Sequence, residues 1–230
     1  MTLIAVPVMG QSAQVVLAQL AVACACATDI VEWRVDALAK QDAQQNGELA
    51  IEVRQQTARA GKQLLVTFRT QAQGGLGQTA DSVQTVSDWV RLAQPDWVDV
   101  ETNADTAATL AALSGLKTQL ILSTHDFDQT GTVATRQQQL QRMATLPVAM
   151  VKMALMTQTS ADALTIMQLN AWAQTALTRP VAVMGMGAYG AVTRLTAPTF
   201  GAALTFASAT VASAPGQLPI DELRRGWAII

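Results

Sequence analysis

One lysine lies inside an otherwise apolar stretch of the sequence, where a charged group is costly. Residues 148–154 read VAMVKMA, and Lys152 is the one charged residue among them. A short apolar run of this kind is typical of a strand buried on both faces, as parallel strands usually are. Burial disfavours the ammonium form and lowers the pKa of a lysine from its reference value of ~10.4. A lysine that is partly neutral near pH 7 can attack a carbonyl carbon and form an imine.

The alternative for Lys152 is a strand-end lysine whose ammonium group reaches water. The polar residues at the ends of the other predicted strands decide between the two interpretations. They include carboxylates, arginines and a histidine, and they are followed by a small-residue loop; the set is Glu32, Arg34, Asp36, Arg69, Asp99, Glu101, His125, Asp126, Arg194, Ser213 and Gln217. In a barrel of parallel strands, the carboxyl ends of the strands form the site. We therefore expect these groups to accompany the amine of Lys152.

Several of these residues also have a structural interpretation. Glu32 and Arg34 are two residues apart, so both side chains leave the same face of a strand, and they could form a buried structural pair. Asp36 and Asp126 could cap loops or helices. Glu101 could anchor an arginine inside the barrel. A single histidine is more often a packed core residue than a catalyst, but His125 ends the strand that precedes the one carrying Lys152.

Strand-like and helix-like segments alternate along the whole chain. The predicted strands begin at Leu3, Ile30, Gln63, Trp97, Gln119, Val148, Pro180 and Ala202. Eight such units of roughly 25–30 residues predict a (β/α)8 barrel of the TIM type. A doubly wound open sheet would also alternate, but no GxGxxG follows the first strand. No linker or low-complexity stretch divides the chain, so residues 1–230 are predicted to form a single domain.

Composition and charge narrow the classes of function. The 230-residue chain is half apolar and carries a formal net charge of −2, which gives no electrostatic reason to expect a nucleic-acid partner. Cys24 and Cys26 are two residues apart in a helical stretch, a spacing that suits neither a disulfide nor a CxxC metal site. The apolar run at 15–27 is too short to span a membrane and lacks the positive region of a signal peptide. We therefore expect a cytoplasmic protein without a membrane segment.

Six short motifs, in order along nearly the whole chain, resemble those of the type I 3-dehydroquinate dehydratase family. They are Glu32-x-Arg34-x-Asp36, Phe68-Arg69, Ser123-Thr124-His125-Asp126-Phe127, Lys152-Met153-Ala154, the stretch from Met184 to Thr193-Arg194, and Ser213-Ala-Pro-Gly-Gln217. Each motif alone is a weak signal, whereas the ordered set is specific. The resemblance implies a (β/α)8 barrel, usually a homodimer, that dehydrates 3-dehydroquinate to 3-dehydroshikimate in the shikimate pathway without a metal or an organic cofactor.

The resemblance also implies a role for each candidate residue. Lys152 would form an imine with the substrate ketone, His125 would move protons as general base and general acid, and Glu32 would orient His125. The remaining candidates would bind substrate: Arg34 and Arg69 would contact hydroxyls or the acidic network, Arg194 would hold the carboxylate, and Ser213 and Gln217 would lie on a closing loop.

One residue departs from the family pattern, which commonly has a glutamate four residues after the arginine of the Phe-Arg motif. Gln73 stands there, and an amide keeps an acceptor oxygen but loses the charge. Two other functions are compatible with some of these residues. A class I aldolase would also use a lysine imine, with a substrate that is often phosphorylated. A non-catalytic sugar-acid-binding barrel would keep Arg194, Ser213 and Gln217 without needing both Lys152 and His125.

Overall fold

The computed structural model describes residues 1–39, 43–77, 82–210 and 212–230. In these ranges, eight β-strands alternate with eight α-helices. The strands are β1 (Leu3–Val8), β2 (Ile30–Arg34), β3 (Gln63–Thr67), β4 (Trp97–Glu101), β5 (Gln119–Asp126), β6 (Met150–Met156), β7 (Val181–Met186) and β8 (Leu204–Phe206). The helices are α1 (Ala13–Ala25), α2 (Gly47–Arg59), α3 (Ser82–Ala93), α4 (Thr106–Leu113), α5 (Val133–Ala144), α6 (Ser160–Ala176), α7 (Gly190–Leu195) and α8 (Ile220–Trp227). None of these helices combines the length and the apolar character that crossing a bilayer requires.

The strands belong to one eight-stranded sheet with the order β7-β6-β5-β4-β3-β2-β1-β8. All the strand pairs with a described register are parallel. Parallel strands that alternate with helices in this sequential order make a (β/α)8 barrel, and the predicted fold class is confirmed.

Three strands differ by two residues or more from the bounds that the apolar runs predict, whereas the other strands agree with the prediction to within one residue at each end. β5 continues three residues beyond the apolar run, through Asp126, because its ladder with β6 extends that far. β6 begins at Met150 instead of Val148, whose N–H bonds to the carbonyl of Leu146 in a turn. β8 starts two residues late because the N–H of Ala202 bonds to Ala197, in the turn after α7. Local hydrogen bonding therefore overrides the apolar pattern at these ends.

The chain divides into two compact units. Unit 1 comprises Met1–Ala5 and Ile121–Ile230, and unit 2 comprises Val6–Leu120. The prediction that residues 1–230 form a single domain stays a prediction.

In unit 2, an aromatic pair fixes which side of β2 faces the helices. Trp33 is fully buried, and its ring meets that of Trp89 of α3 edge to face, with centroids 4.9 Å apart. Because side chains alternate along a strand, the neighbours Glu32 and Arg34 leave β2 on the opposite face. The indole N–H of Trp33 has no hydrogen-bond partner. The packing of the ring therefore offsets the free-energy cost of burying an N–H group without an acceptor.

In unit 1, α5 packs on β6 and α6 packs on β7. Val151, Met153 and Leu155 are fully buried, and the alternation of the strand places Lys152 and Ala154 on the other face. Asn170 of α6 bonds to both backbone groups of Val183, since its amide donates to the carbonyl and its oxygen accepts from the N–H. A backbone hydrogen bond from the N–H of Ala203 to the carbonyl of Val181 joins β7 to the segment before β8.

We expect Trp33→Ala to lower the free energy of unfolding by about 3–5 kcal/mol, because it opens a large cavity under β2. Trp33→Phe should cost clearly less, because it keeps most of the ring and removes the buried N–H without a partner. Urea unfolding of the two variants and the parent tests this. Equal losses in the two variants would contradict the role given to the unpaired N–H.

Candidate active site

Lys152 and His125 lie on neighbouring strands of unit 1 and leave the same face of the sheet. The ladder pairs Ser123 with Lys152 and His125 with Ala154. Residues paired across parallel strands share a face, as do alternate residues along one strand. The two Cα positions are thus separated by one strand spacing of ~4.8 Å and by two residues, or ~6.6 Å, along the strand. One small molecule bound on this face can contact both side chains.

The amine of Lys152 is buried and lies over an aromatic ring. Lys152 is 4% exposed, and its Nζ is 4.7 Å from the centroid of the Phe206 ring of β8. The negative face of such a ring attracts a cation, and the attraction grows when water is excluded. Phe206 therefore offers a favourable environment to a positive charge at this nitrogen. Phe206 has no distinguishing signal in the sequence, because a single phenylalanine in a predicted strand is indistinguishable from a core residue.

The imidazole of His125 is half-buried and packs against the residue that follows the strand. Its ring lies nearly parallel to that of Phe127, with an interplanar angle of 13° and centroids 6.1 Å apart. Phe127 is 41% exposed. The histidine is therefore supported on one side by an aromatic side chain while remaining accessible to solvent.

Arg194 in α7 is a buried cation. It is 1% exposed, and its terminal nitrogens donate to the carbonyls of Phe206 (3.3 Å) and Gly185 (3.0 Å). Its Nε–H has no hydrogen-bond partner, and the ion pairs of the described residues do not include Arg194. Burial lowers the pKa of this guanidinium to about 10, so it is still charged at neutral pH. A buried guanidinium without a carboxylate partner can bind an acidic ligand.

Two contacts connect Arg194 with the face that carries His125. Its Nη1 lies 3.7 Å from the sulfur of Met184, and the ladder pairs Met184 with Ala154, the residue paired with His125. The start of α7 packs tightly on the end of β7. A side chain at Gly190 would not fit between them, since its Cβ would lie 2.5 Å from the carbonyl oxygen of Gly185. Unit 1 thus brings Lys152, His125 and Arg194 to one end of β5, β6 and β7.

Ser213 and Gln217 form one small hydrogen-bonded loop. The amide of Gln217 donates to the hydroxyl of Ser213 (2.7 Å), and its oxygen accepts from the N–H of Ser213 (2.8 Å). The N–H of Gly187, after β7, donates to the carbonyl of Pro215. The loop therefore lies against the turn that opens α7.

The candidate residues of unit 2 are buried charges at the ends of β2, β3 and β4. Arg34 forms a two-bond ion pair with Asp36, at 2.8 and 2.7 Å. The interpretation that Glu32 and Arg34 pair directly is wrong, because Asp36 takes the guanidinium, and Glu32 accepts from the hydroxyl of Thr67 (2.8 Å). Burial disfavours the charge on Arg34, but the bonds to Asp36 outweigh it and raise the pKa of Arg34. The carboxylate of Asp36 also accepts from the N–H of Leu76, as a loop cap does.

Arg69 lies between two carboxylates of β4. Its Nη2 is 2.9 Å from Asp99 and its Nη1 is 3.1 Å from Glu101. Although burial opposes the charge, these two carboxylates raise the pKa of Arg69 above its ordinary value. Glu101 also accepts from the N–H and the hydroxyl of Thr70. The interpretation of Glu101 as the anchor of a buried arginine is confirmed.

Gln73 uses a donor that a glutamate would lack. Its Nε2 donates to the carbonyl of Thr102 (3.1 Å), after β4. The surrounding loop folds back on Arg69, since a Cβ at Gly75 would lie 2.1 Å from the carbonyl oxygen of Arg69. The amide at position 73 thus holds this loop to the end of β4.

Asp126 caps the loop that follows β5, as one interpretation of the sequence expected, and Arg136, which was not among the candidate residues, is one of its partners. Its carboxylate accepts from the N–H groups of Asp128 and Gln129 and from the guanidinium of Arg136. Arg136 lies near the start of α5, where a cation opposes the helix dipole. That unfavourable placement is the signal in the sequence that could have indicated a specific partner.

The sequence model of the type I 3-dehydroquinase family matches residues 4–230. A 3-dehydroquinate dehydratase from Aromatoleum aromaticum is 35% identical over 229 residues, covering 96% of this chain and 87% of its own. The enzyme of that name from Klebsiella pneumoniae is 34% identical and covers 100% of this chain and 93% of its own.

Solved structures agree with these relatives. The 3-dehydroquinate dehydratase of Geobacillus kaustophilus superposes with a TM-score of 0.92 at 29% identity, covering 100% of this chain and 91% of its own. The type I enzyme of Clostridium difficile, solved with covalently modified comenic acid, gives a TM-score of 0.91 at 26% identity, covering 99% and 91%. The match over nearly the whole chain places it in the type I 3-dehydroquinase family, a family of hydro-lyases of the shikimate pathway.

Proposed function

We propose that this protein dehydrates 3-dehydroquinate to 3-dehydroshikimate through an imine formed on Lys152. One observation carries the proposal: the buried amine of Lys152 and the imidazole of His125 leave the same face of adjacent strands. A lysine imine and a mobile proton are the two requirements of this chemistry. The family match decides against a class I aldolase and against a non-catalytic barrel.

The amine of Lys152 is the nucleophile in this proposal. It adds to the ketone carbon of the substrate, and loss of water leaves a protonated imine that withdraws electrons from the adjacent carbon. The ring of Phe206, 4.7 Å from Nζ, favours the positive charge of that intermediate. The solved enzyme from Clostridium difficile, which carries covalently modified comenic acid, supports covalent chemistry in this family.

His125 is the proposed proton carrier. It removes the proton from the carbon next to the imine, and the resulting enamine expels the hydroxyl group, which leaves as water with the proton that His125 returns. Hydrolysis of the imine then releases the conjugated enone and restores the amine of Lys152. A single histidine serves both steps because its reference pKa of ~6.5 is near neutral pH, and the chain contains only one.

Arg194 is the proposed anchor of the substrate carboxylate. Its guanidinium is buried, lacks a carboxylate partner among the described residues, and has an unbonded Nε–H. A carboxylate ligand would supply both the missing charge and the missing acceptor.

The other candidates keep the roles that the family resemblance implies. Glu32 has the orienting role, Arg34 and Arg69 have binding roles, and Ser213 and Gln217 belong to the closing loop. The cytoplasmic location and the homodimer stay predictions.

We expect Arg194→Met to raise the KM for 3-dehydroquinate by about 10–100-fold, because a hydrogen bond to a charged group contributes about 1.5–3 kcal/mol. The free energy of unfolding of the ligand-free variant should not fall, because an unpaired buried charge is removed. Steady-state kinetics and urea unfolding measure the two effects. Arg179→Met, at an exposed arginine just before β7, is the control and should leave KM unchanged. An unchanged KM in Arg194→Met would exclude Arg194 as the carboxylate anchor.

His125→Ala should lower turnover by about 10²–10⁴-fold, the usual contribution of an acid–base group. The imine should still form, because the amine of Lys152 is untouched. An ultraviolet assay for the conjugated enone measures turnover, and borohydride trapping measures the imine. A variant with near-normal turnover would eliminate the assignment of His125.

Borohydride reduces an imine to a stable secondary amine, so wild-type protein treated with 3-dehydroquinate and borohydride should gain a ligand-sized mass on the peptide that contains Lys152. Lys152→Ala should lose the adduct and nearly all turnover. Lys152→Arg should fail as well, because a guanidinium stays protonated and is not a nucleophile. Peptide mass spectrometry gives the site of the adduct. An active wild-type enzyme without an adduct, or with the adduct on another lysine, would overturn the mechanism.

A further inference from the structure

The carboxylate of Asp126, the last residue of β5, is held by three donors. The N–H groups of Asp128 (3.0 Å) and Gln129 (3.1 Å) donate to its Oδ1, and the guanidinium of Arg136 donates to its Oδ2. Burial alone would raise the pKa of this carboxyl group, but these donors together lower it. The group is therefore ionised above its ordinary pKa of ~3.9. These three hydrogen bonds, which we call the Asp126 clamp, would weaken only as the pH falls below that value. At neutral pH the carboxyl group stays ionised and the clamp stays intact.

Arg136 of α5 is itself fixed by several contacts. Its Nε donates to the carbonyl of Thr130 (2.7 Å), and Nη1 donates to Gln139. Gly131 has a positive φ of 75°, and a Cβ there would lie 3.1 Å from the Nε of Arg136. The hydroxyl of Thr130 donates to the carbonyl of Met156, at the end of β6. The guanidinium thus ties the loop after β5 to α5, and Thr130 ties that loop to β6.

Alternation along β5 connects this clamp to the catalytic face. Asp126 leaves the strand on the side of α5, whereas the preceding residue, His125, leaves it on the opposite side. Phe127, the next residue, returns to stack on the imidazole. Because Asp126 is the covalent link between these two residues, its anchor fixes the backbone from which both rings project.

We propose that the Asp126–Arg136 ion pair is a positioning device that holds His125 and Phe127 in the geometry required for proton transfer. The inference rests on the proposed role of His125 as the proton carrier. Arg136 touches neither the reacting atoms nor the imidazole in this assignment, and it acts through the backbone of Asp126. The side chains of this ion pair are 10% and 25% accessible, so the attraction between the two charges is offset in part by the cost of burying them. The pair also accounts for a cation near the start of α5.

Arg136→Gln is the main test, and Arg54→Gln is its matched control. Arg54 also forms a two-bond pair with an aspartate, Asp96, which accepts from a backbone N–H as well. That pair lies at the amino-terminal ends of β3 and β4, away from the carboxyl ends that carry the site. Arg136→Gln should lower kcat by up to about 10²-fold, the effect of a displacement near 1 Å. KM and the yield of the Lys152 adduct should not change, and Arg54→Gln should keep the parental kcat.

The single histidine of the chain gives a direct spectroscopic test. Ring currents from Phe127 shift the proton resonances of the His125 imidazole, and the chain has no other histidine to confuse the assignment. Phe127→Leu calibrates the shift that is lost when the ring is absent. In Arg136→Gln the imidazole resonances should move toward the Phe127→Leu values, and in Arg54→Gln they should stay at the wild-type values.

A double-mutant cycle separates positioning from general damage. If Arg136 acts through His125, then Arg136→Gln should not lower further the residual turnover of His125→Ala, measured with excess enzyme. An equal loss in both backgrounds would overturn the inference, as would wild-type kcat and wild-type imidazole resonances in Arg136→Gln.

Asp126→Asn is the second variant, and the same measurements are made on it if Arg136→Gln does not fold. It keeps an oxygen for the two backbone N–H groups but loses the charge that holds Arg136, and the same kinetic and spectroscopic changes are expected. Failure of the proposed function is distinguishable, because wild-type protein would then give no adduct on Lys152. With that adduct present, unchanged kcat and unchanged imidazole resonances in Asp126→Asn would overturn only the positioning role.

Discussion

Charged side chains are buried at the carboxyl ends of the strands in both units, and removing them from water costs free energy. In unit 2 that cost is offset within the protein: Arg34 binds Asp36, and Arg69 binds Asp99 and Glu101. In unit 1, Arg194 is equally buried but has only carbonyl oxygens and a sulfur atom as partners. A buried charge without a partner of opposite charge is destabilising. The carboxylate of an acidic ligand can supply the partner that Arg194 lacks among the described residues, and binding would then remove part of this cost.

The sequence predicted the fold because the apolar runs and the turns between them have a simple period. Eight runs mark the eight strands, and β1 has the predicted bounds. The ends of β6 and β8 could not be predicted, because they depend on single backbone hydrogen bonds of Val148 and Ala202 that have no local signature. Strand ends are therefore less predictable than strand centres.

For the candidate site, the sequence predicted residue types better than partners. Lys152 and His125 were singled out by their places in two predicted strands, and the ladder puts them on one face. The partner of Arg34 was less predictable, because residues 32 and 36 are both two positions away and both acidic. Phe206 was missed because its contact with Lys152 joins β6 to β8, which are far apart in the chain. Arg136 was missed because its partner, Asp126, lies across the loop between β5 and α5. Pairing of side chains between elements is the information that a periodic pattern does not contain.

The two hydrogen bonds between Asn170 and the backbone of Val183 have a consequence for which residues α6 can carry at this position. Asn170 occupies both the N–H and the C=O of Val183 in the middle of β7. Val183 is 1% exposed and Asn170 is 2% exposed, so water could not replace the amide without the protein opening. An apolar residue of similar size would leave two buried backbone groups without these partners, which costs more free energy than its packing would return. Position 170 therefore requires a side chain that both donates and accepts.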